Sequence, residues 1–175
     1  MATLPLERVR GVFERSPVAL TLCDLQQADA PLVLANERFS NLTGYGASEI
    51  IGRNCRFLQG AEDNEAARAE IRDALARCHE VQVILRNYRK DGTPFDNLLF
   101  LNPVGGDGRY MLGSQFGLTG TRSEPLTDAA SRHVQGLSAD LQRLAATSDA
   151  LRNEQRRHMA DVAAGLVTTW LRSQR

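Results

Sequence analysis

Short apolar runs separated by polar, glycine-containing loops dominate the first two thirds of the chain. The runs at 18–23 and 31–35 predict two buried strands. Three further strands are predicted at 81–88, 94–104 and 109–118, because an Asp-Gly turn and a glycine-rich turn separate these segments. Tight turns join antiparallel neighbours, so the last three strands should lie side by side in one sheet.

Between the second and third predicted strands the pattern becomes helical. Asn36 can cap a short helix that runs to Thr43 and is ended by Gly44, and a further turn is expected at 48–52. Apolar residues at helical spacing predict a longer helix over 64–77. The predicted fold class is therefore α+β, a five-stranded antiparallel sheet with helices on one face. Such a sheet can hold a small flat ligand between its concave face and the helices.

The composition changes near residue 120, which suggests a division into three parts. We expect an N-terminal helical cap at 1–15, a mixed α/β domain at 16–120 and a helical extension at 121–175. Two amphipathic helices with a break near Ser148 are expected in the extension, and one long helix is the alternative. The apolar positions are Leu126, Val134, Leu137, Leu141 and Leu144 in the first, and Met159, Val162, Leu166, Val167 and Trp170 in the second.

Charge and composition exclude several classes of protein. The 175 residues include 21 basic and 21 acidic side chains, and this balance argues against a nucleic-acid or anionic-membrane partner. No apolar run approaches the length of a membrane span, and the first residues lack the apolar core of a signal peptide. The three cysteines form no Cys-x-x-Cys pair, so neither a disulfide framework nor a metal site is expected. A cytoplasmic location follows as the expectation.

One segment, GRNCRFLQG at 52–60, combines residues that carry chemistry. It places the thiol of Cys55 between the amide of Asn54 and the guanidinium of Arg56. A neighbouring positive charge favours the thiolate and hence reactivity. On spacing alone, however, a buried and inert cysteine is the commoner situation, so both interpretations stay open at this point.

The segment GRNCRFLQG resembles the signature of the light-oxygen-voltage (LOV) flavin photosensors, a branch of the PAS fold. The resemblance continues through 34–45, 87–98 and 113–115 and covers about 16–120. It implies a blue-light photoreceptor of bacterial type that binds flavin mononucleotide (FMN) without a covalent bond in the dark. After blue-light absorption, Cys55 would form a reversible thioether to flavin C4a. The adduct would decay thermally in the dark.

The resemblance also implies the polar contacts of the flavin. Asn87 and Asn97 match the two asparagines that bind the pyrimidine edge, whose alternating acceptors and N–H donor suit amides. Asn54 and Gln59 match positions near the ribityl chain and phosphate. Gln115 matches the glutamine near flavin N5 and O4, where an amide can exchange its oxygen and nitrogen ends when N5 is protonated.

Two arginines and one leucine complete the implied site. Arg56 and Arg72 match the pair that binds the flavin phosphate through charge-assisted hydrogen bonds. A terminal phosphate favours FMN over FAD as the cofactor. Leu99 stands where the plant phototropin domains have a phenylalanine near the flavin ring. Taken singly, these amides and arginines would be ordinary turn or surface residues, and only their joint spacing favours the flavin site.

The sequence says less about how a signal would leave the domain. The segment 121–175 carries no kinase or other effector signature, so a short LOV protein that is not an enzyme is expected. A lone helical pair cannot bury two apolar stripes, so it must pack on the outer face of the sheet or on a second subunit. A homodimer is the preferred interpretation, with the downstream protein partner unidentified.

Two alternatives concern function. The first is a flavin-based redox sensor that works in the dark and shares every binding residue. The second is a light-regulated DNA-binding protein, since Arg152, Arg156, Arg157 and His158 cluster in the extension. Its eight arginines face six acidic residues, which is a weak excess for binding DNA.

Overall fold

In the computed structural model, the described residues are 6–104, 108–118, 150 and 152–169. The elements follow in the order α1 (Leu6–Arg15), β1 (Ala19–Asp24), β2 (Leu32–Ala35), α2 (Glu37–Thr43), α3 (Ala47–Ile50), the 3₁₀ turn η1 (Cys55–Leu58), α4 (Glu65–Arg77), β3 (Val81–Tyr88), β4 (Pro94–Val104), β5 (Tyr110–Leu118) and a last helix, α5, at 152–169.

The five strands form one antiparallel sheet in the order β2-β1-β5-β4-β3. The predicted fold class is confirmed, together with the N-terminal helix and a helix in the C-terminal extension. Left-handed glycines occupy the two predicted turns, with φ of 85° at Gly92 and 67° at Gly108. Only glycine adopts this conformation without strain, which is why the turns were readable in the sequence.

Each strand presents alternate side chains to the two faces of the sheet. On β1, Leu20 and Leu22 belong to a core cluster with Phe13 of α1 and Val167 of α5. We call this side, which α1 and α5 cover, the outer face. The other side, the inner face, carries Thr21 of β1 and is covered by α2, α3, η1 and α4.

Helix α5 packs on the outer face, one of the two packings predicted for the extension. Its buried residues are Ala160, Ala163 and Val167. Val167 of the predicted apolar stripe is buried, whereas Val162 and Leu166 are 47% and 59% exposed. The two small alanines allow the helix to approach the sheet closely. The first predicted helix of the extension and Trp170 lie outside the described residues.

Asn36 links three elements on the edge of this core. Its Oδ1 caps α2 by accepting from the Phe39 N–H at 3.0 Å, as predicted, and it also accepts from the Leu20 N–H at 3.0 Å. Its Nδ2 donates to the carbonyls of Phe13 and Val18 at 3.0 and 2.8 Å. The end of α1, the start of β1 and the start of α2 therefore share one buried side chain.

Within the part of the chain that the structure describes, none of the helices combines the length and apolar character needed to cross a bilayer.

Candidate functional site

A cavity lies between the inner face of the sheet and the segments that cover it. Its apolar lining comes mainly from aliphatic side chains: Leu32, Ile71, Leu75, Leu85, Leu99, Leu101 and Met111. Its polar lining consists of Thr21, Asn54, Arg56, Gln59, Asn87, Asn97 and Gln115, and two thiols, Cys23 and Cys55, also face it. An apolar cleft with a few converging polar groups is the usual form of a small-molecule site. Every predicted site residue except Arg72 lines this cavity.

A row of buried polar side chains crosses the inner face from strand to strand. Asn97 Nδ2 lies 3.0 Å from Asn87 Oδ1 and 3.4 Å from Gln115 Oε1. Gln115 Nε2 in turn donates to Thr21 Oγ1 at 3.0 Å. The row thus joins β3, β4, β5 and β1, and each member is at most 4% exposed. Thr21 was not predicted, because nothing in its local sequence distinguishes it from a packed strand residue.

One atom of this row tests the fit of a flavin. Asn97 Oδ1 is buried and accepts no hydrogen bond from the residues that the structure describes. An unpaired buried acceptor is costly, so a ligand that brings an N–H donor to it is favoured. The pyrimidine edge of a flavin carries such a donor, and the aliphatic lining suits its flat ring. The donor set and the shape of the lining therefore fit the predicted cofactor.

The local fold presents Cys55 to the cavity. Cys55 is the first residue of η1, and Asn54 caps this turn by accepting from the Arg56 N–H at 3.0 Å. Asn54 also donates to the Asp29 carbonyl at 2.6 Å, which ties the turn to the loop after β1. The thiol is thereby held among the apolar side chains between the turn and the sheet.

The electrostatics of Cys55 differ from the expectation. Burial, with a smaller contribution from the Cys23 thiol, raises the pKa of Cys55 to about 12. Burial likewise raises the pKa of Cys23 to about 11. The thiolate suggested by the neighbouring Arg56 is wrong, because that guanidinium is exposed and bonds Asp29 Oδ1, with Nη1 at 2.8 Å. Cys55 therefore enters any reaction at neutral pH as a protonated thiol.

The arginines are arranged differently from the prediction. Arg72 is exposed on α4, where its Nη2 pairs with Glu65 Oε1 at 2.6 Å, and it does not line the cavity. Arg68 is half-buried, and its Nε donates to Gln59 Oε1 at 2.7 Å. Arg68 lies one helical turn before Arg72, so the i, i+4 spacing on α4 was a signal that sequence reasoning missed.

Comparison with known proteins identifies the family of the chain. The family model of the PAS domain matches residues 17–117. The crystal structure of a Rhodobacter sphaeroides LOV protein superimposes with a TM-score of 0.65 at 48% identity, covering 98% of this chain and 99% of that one. A blue-light-activated histidine kinase of Rhizobium johnstonii is 45% identical over 125 residues, which are 70% of this chain and 36% of that protein. A blue-light photoreceptor of Listeria monocytogenes is 40% identical over 96 residues, 55% of this chain and 38% of that protein.

The chain belongs to the PAS domain family and, within it, to the LOV proteins. The resemblance found in the sequence is thereby confirmed, and with it the flavin-binding class of the domain. The chain spans only about a third of the length of the curated relatives cited above.

Proposed function

We propose that this protein is a blue-light receptor in which the Cys55 sulfur bonds reversibly to FMN held in the inner-face cavity. One observation carries the proposal: Cys55 and the row of buried amides reach the same cavity, one from η1 and the other from the sheet. A flavin held there supplies the absorption of blue light and, once excited, a carbon atom that accepts the sulfur.

The amides would hold and orient the ring. Asn97 Oδ1 accepts from a ring N–H, and Asn87 beside it offers further amide groups to the same polar edge. Gln115 can either donate or accept, so it can pair with a ring nitrogen in either protonation state. Leu99, which lies opposite Gln115 in the β4–β5 register, would exclude water on this side.

Cys55 would supply the proton as well as the sulfur. None of the described residues lining the cavity is a histidine, aspartate or glutamate that could act as a general base. Because the pKa of the Cys55 thiol is raised to about 12, the proton is already on the sulfur before light arrives. The residue can then deliver both atoms within the cavity.

An absorption spectrum recorded before and after blue illumination tests this proposal. We expect the blue absorption band of the oxidised flavin to disappear on illumination and to return in the dark. A flavin that stays fully oxidised under blue light would contradict the receptor function. Reduction that requires an added electron donor would favour the dark redox sensor instead.

The arginines bear on the identity of the flavin. We infer that Arg56 and Arg68 bind a terminal phosphate, since Arg56 lines the cavity and Arg68 bonds Gln59, which also lines it. Arg56 would have to leave Asp29 to do so, and Arg72, the second arginine of the prediction, would have to leave Glu65 to join them.

Neutralising either arginine tests the choice of FMN. We expect Arg56→Gln and Arg68→Gln each to weaken FMN binding about tenfold, because each removes a charge-assisted hydrogen bond. Riboflavin, which lacks the phosphate, should bind the variants as it binds the wild type. Fluorescence titration with both flavins measures this, and Arg72→Gln is the matched variant with a smaller expected effect. Equal losses for FMN and riboflavin would contradict phosphate binding.

The outer face supports a homodimer as the means of output. An apolar groove runs between α1 and α5, with Val12, Met159, Val162 and Leu166 among its lining residues. Apolar side chains exposed along one groove are a surface that an apolar partner can cover. Among the clustered basic residues, Arg156 is engaged with Asn153 and Arg157 with Gln82. These contacts favour a protein partner over nucleic acid, and we propose a second copy of the chain.

A charge placed in this groove tests the dimer. We expect Leu166→Glu to convert the dimer to a monomer, because a carboxylate cannot be buried unpaired in an apolar interface. Light scattering in darkness and after blue illumination gives the mass. Ile51→Glu is the matched control, since Ile51 is also exposed but lies beside α3. A wild-type protein that is monomeric under both conditions would exclude the interface.

A further inference from the structure

The row of polar side chains ends at Thr21, which the resemblance does not assign to the flavin site. Thr21 Oγ1 accepts from Gln115 Nε2 at 3.0 Å, although 94 positions separate the two residues in the chain. The other end of the same amide, Gln115 Oε1, lies 3.4 Å from Asn97 Nδ2. Neighbouring strands therefore contact both ends of the Gln115 amide.

The backbone is adapted to this contact. Thr21 of β1 pairs with Gly113 of β5 in the strand register. A Cβ atom added to Gly113 would lie 2.6 Å from Thr21 Oγ1 and 3.5 Å from Gln115 Nε2. The absence of a side chain at Gly113 thus leaves room for the hydroxyl and the amide to meet.

A hydroxyl has a property that no other group of this size offers. It accepts hydrogen bonds and also donates one, and its hydrogen rotates to suit the partner. A carboxamide has one accepting end and one donating end. A threonine can therefore pair with Gln115 in either orientation of the amide, whereas a valine of the same shape pairs with neither.

We propose that Thr21 is a positioning residue that keeps the Gln115 amide hydrogen-bonded in both the dark and the illuminated protein. The inference rests on the proposed photoreceptor function. In the structure Thr21 accepts from Gln115 Nε2, and we assign this contact to the dark protein. When the ligand group facing Gln115 changes from acceptor to donor, the amide reverses, and the Thr21 hydroxyl donates to Oε1. The end of the amide that faces Thr21 then has a partner in both orientations, so the two states differ less in energy than they would beside an apolar side chain.

Thr21 also connects the cavity to the outer face. Its neighbours Leu20 and Leu22 point to the opposite side of the sheet, where they pack with Phe13 of α1 and Val167 of α5. A change in the hydrogen bond at Thr21 is thus one residue away from the helices that carry the proposed interface.

The inference is tested by substitutions that separate the effect of the Thr21 hydroxyl from the effect of the side chain's shape. In the flavin-loaded full chain, we expect Thr21→Val to change the rate of dark recovery about three- to tenfold, the effect of one buried hydrogen bond. The Gln115 carbonyl band in the light-minus-dark infrared spectrum, identified by its loss in Gln115→Leu, should also change. Thr21→Ser keeps the hydroxyl and should recover within about twofold of the wild type. Thr43→Val is the control, because it removes another buried hydroxyl, which bonds the Phe39 carbonyl at 2.9 Å and does not line the cavity.

Two results would overturn the inference in a protein that bleaches normally. The first is a Thr21→Val variant whose dark-recovery rate and Gln115 infrared band are unchanged. The second is a Thr21→Ser variant whose recovery rate and infrared band change as strongly as those of Thr21→Val. Either leaves the photoreceptor function standing. If the wild type does not bleach, the proposed function fails. Equilibrium unfolding in the dark then still tests whether Thr21 and Gln115 interact. Non-additive shifts of the unfolding midpoint in Thr21→Val, Gln115→Leu and the double variant support it, and additive shifts reject it.

Discussion

Cys55→Ala abolishes the blue-light-induced loss of flavin absorption while the flavin remains bound; this is the largest effect we expect. The sulfur is the only atom removed, and the polar groups that would hold the ring lie on other residues of the cavity. Cys55→Ser should behave in the same way, because a hydroxyl is a far weaker nucleophile than a thiol. Absorption spectroscopy of the illuminated variants provides the measurement.

The second thiol of the cavity serves as the matched control. Cys23 lines the same space and is also partly buried, so Cys23→Ala removes an equivalent sulfur. This variant should still bleach and recover, although its rate can differ because the lining changes. Reversible bleaching in Cys55→Ala, or its loss in Cys23→Ala, would transfer the reaction to the other cysteine.

The protonation of Cys55 adds a pH dependence to the same experiment. A pKa raised to about 12 means that the thiol is protonated at every pH well below that value. The extent of bleaching should therefore be constant between about pH 6 and pH 9. A reactive thiolate would instead give bleaching that rises with pH across this range, as the thiol lost its proton.

Asn36→Ala is expected to lower the free energy of unfolding by about 2–4 kcal/mol, the largest effect on stability that we predict. The side chain is 1% exposed, and its amide makes four hydrogen bonds to the backbones of three elements. Alanine leaves two carbonyls and two N–H groups of those backbones without this partner. Urea unfolding followed by circular dichroism measures the change as a lower midpoint.

Asn64 offers a control of the same residue type. It is also buried, and its side chain makes two hydrogen bonds to the backbone of Arg86, at 3.0 Å each. Asn64→Ala should therefore cost about half as much as Asn36→Ala. Asn36→Asp keeps the accepting Oδ1 but loses the donors to Phe13 and Val18, so it should also loosen α1. An Asn36→Ala variant as stable as the wild type would show that α1 does not depend on this residue.

Much of the fold was predictable because its signals are local. The bounds of β3 and β4 coincide with the predicted 81–88 and 94–104, since both the strands and the Asp-Gly turn between them occupy adjacent sequence. Helix α2 begins after Asn36 and ends before Gly44, as the capping residues indicated. In each case one or two neighbouring residues carry the physical cause, namely a cap, a left-handed glycine or an alternating pattern.

The site was predictable only through the joint spacing of its residues. No single amide or arginine distinguished itself from a surface residue, and the predicted contact of Arg72 with the flavin phosphate stays a prediction. The sequence places Arg68 and Arg72 on the same side of α4, one turn apart, but cannot tell which guanidinium turns toward Gln59. The packing of α4 on the sheet decides this, and in the structure Arg68 bonds Gln59 while Arg72 bonds Glu65.

By itself, the sequence determined the class of the domain and the order of its strands and helices, and it predicts Cys55 as the cysteine that reacts with a flavin. Tertiary structure alone decided three further properties: the raised pKa of Cys55, the choice of alanines as the buried face of α5 and the contact between Thr21 and Gln115. The physical reason is that burial and hydrogen bonding between distant strands depend on which surfaces meet in space. Local residue spacing predicts the helices and strands, but the contacts of a side chain across the sheet form only when the chain folds.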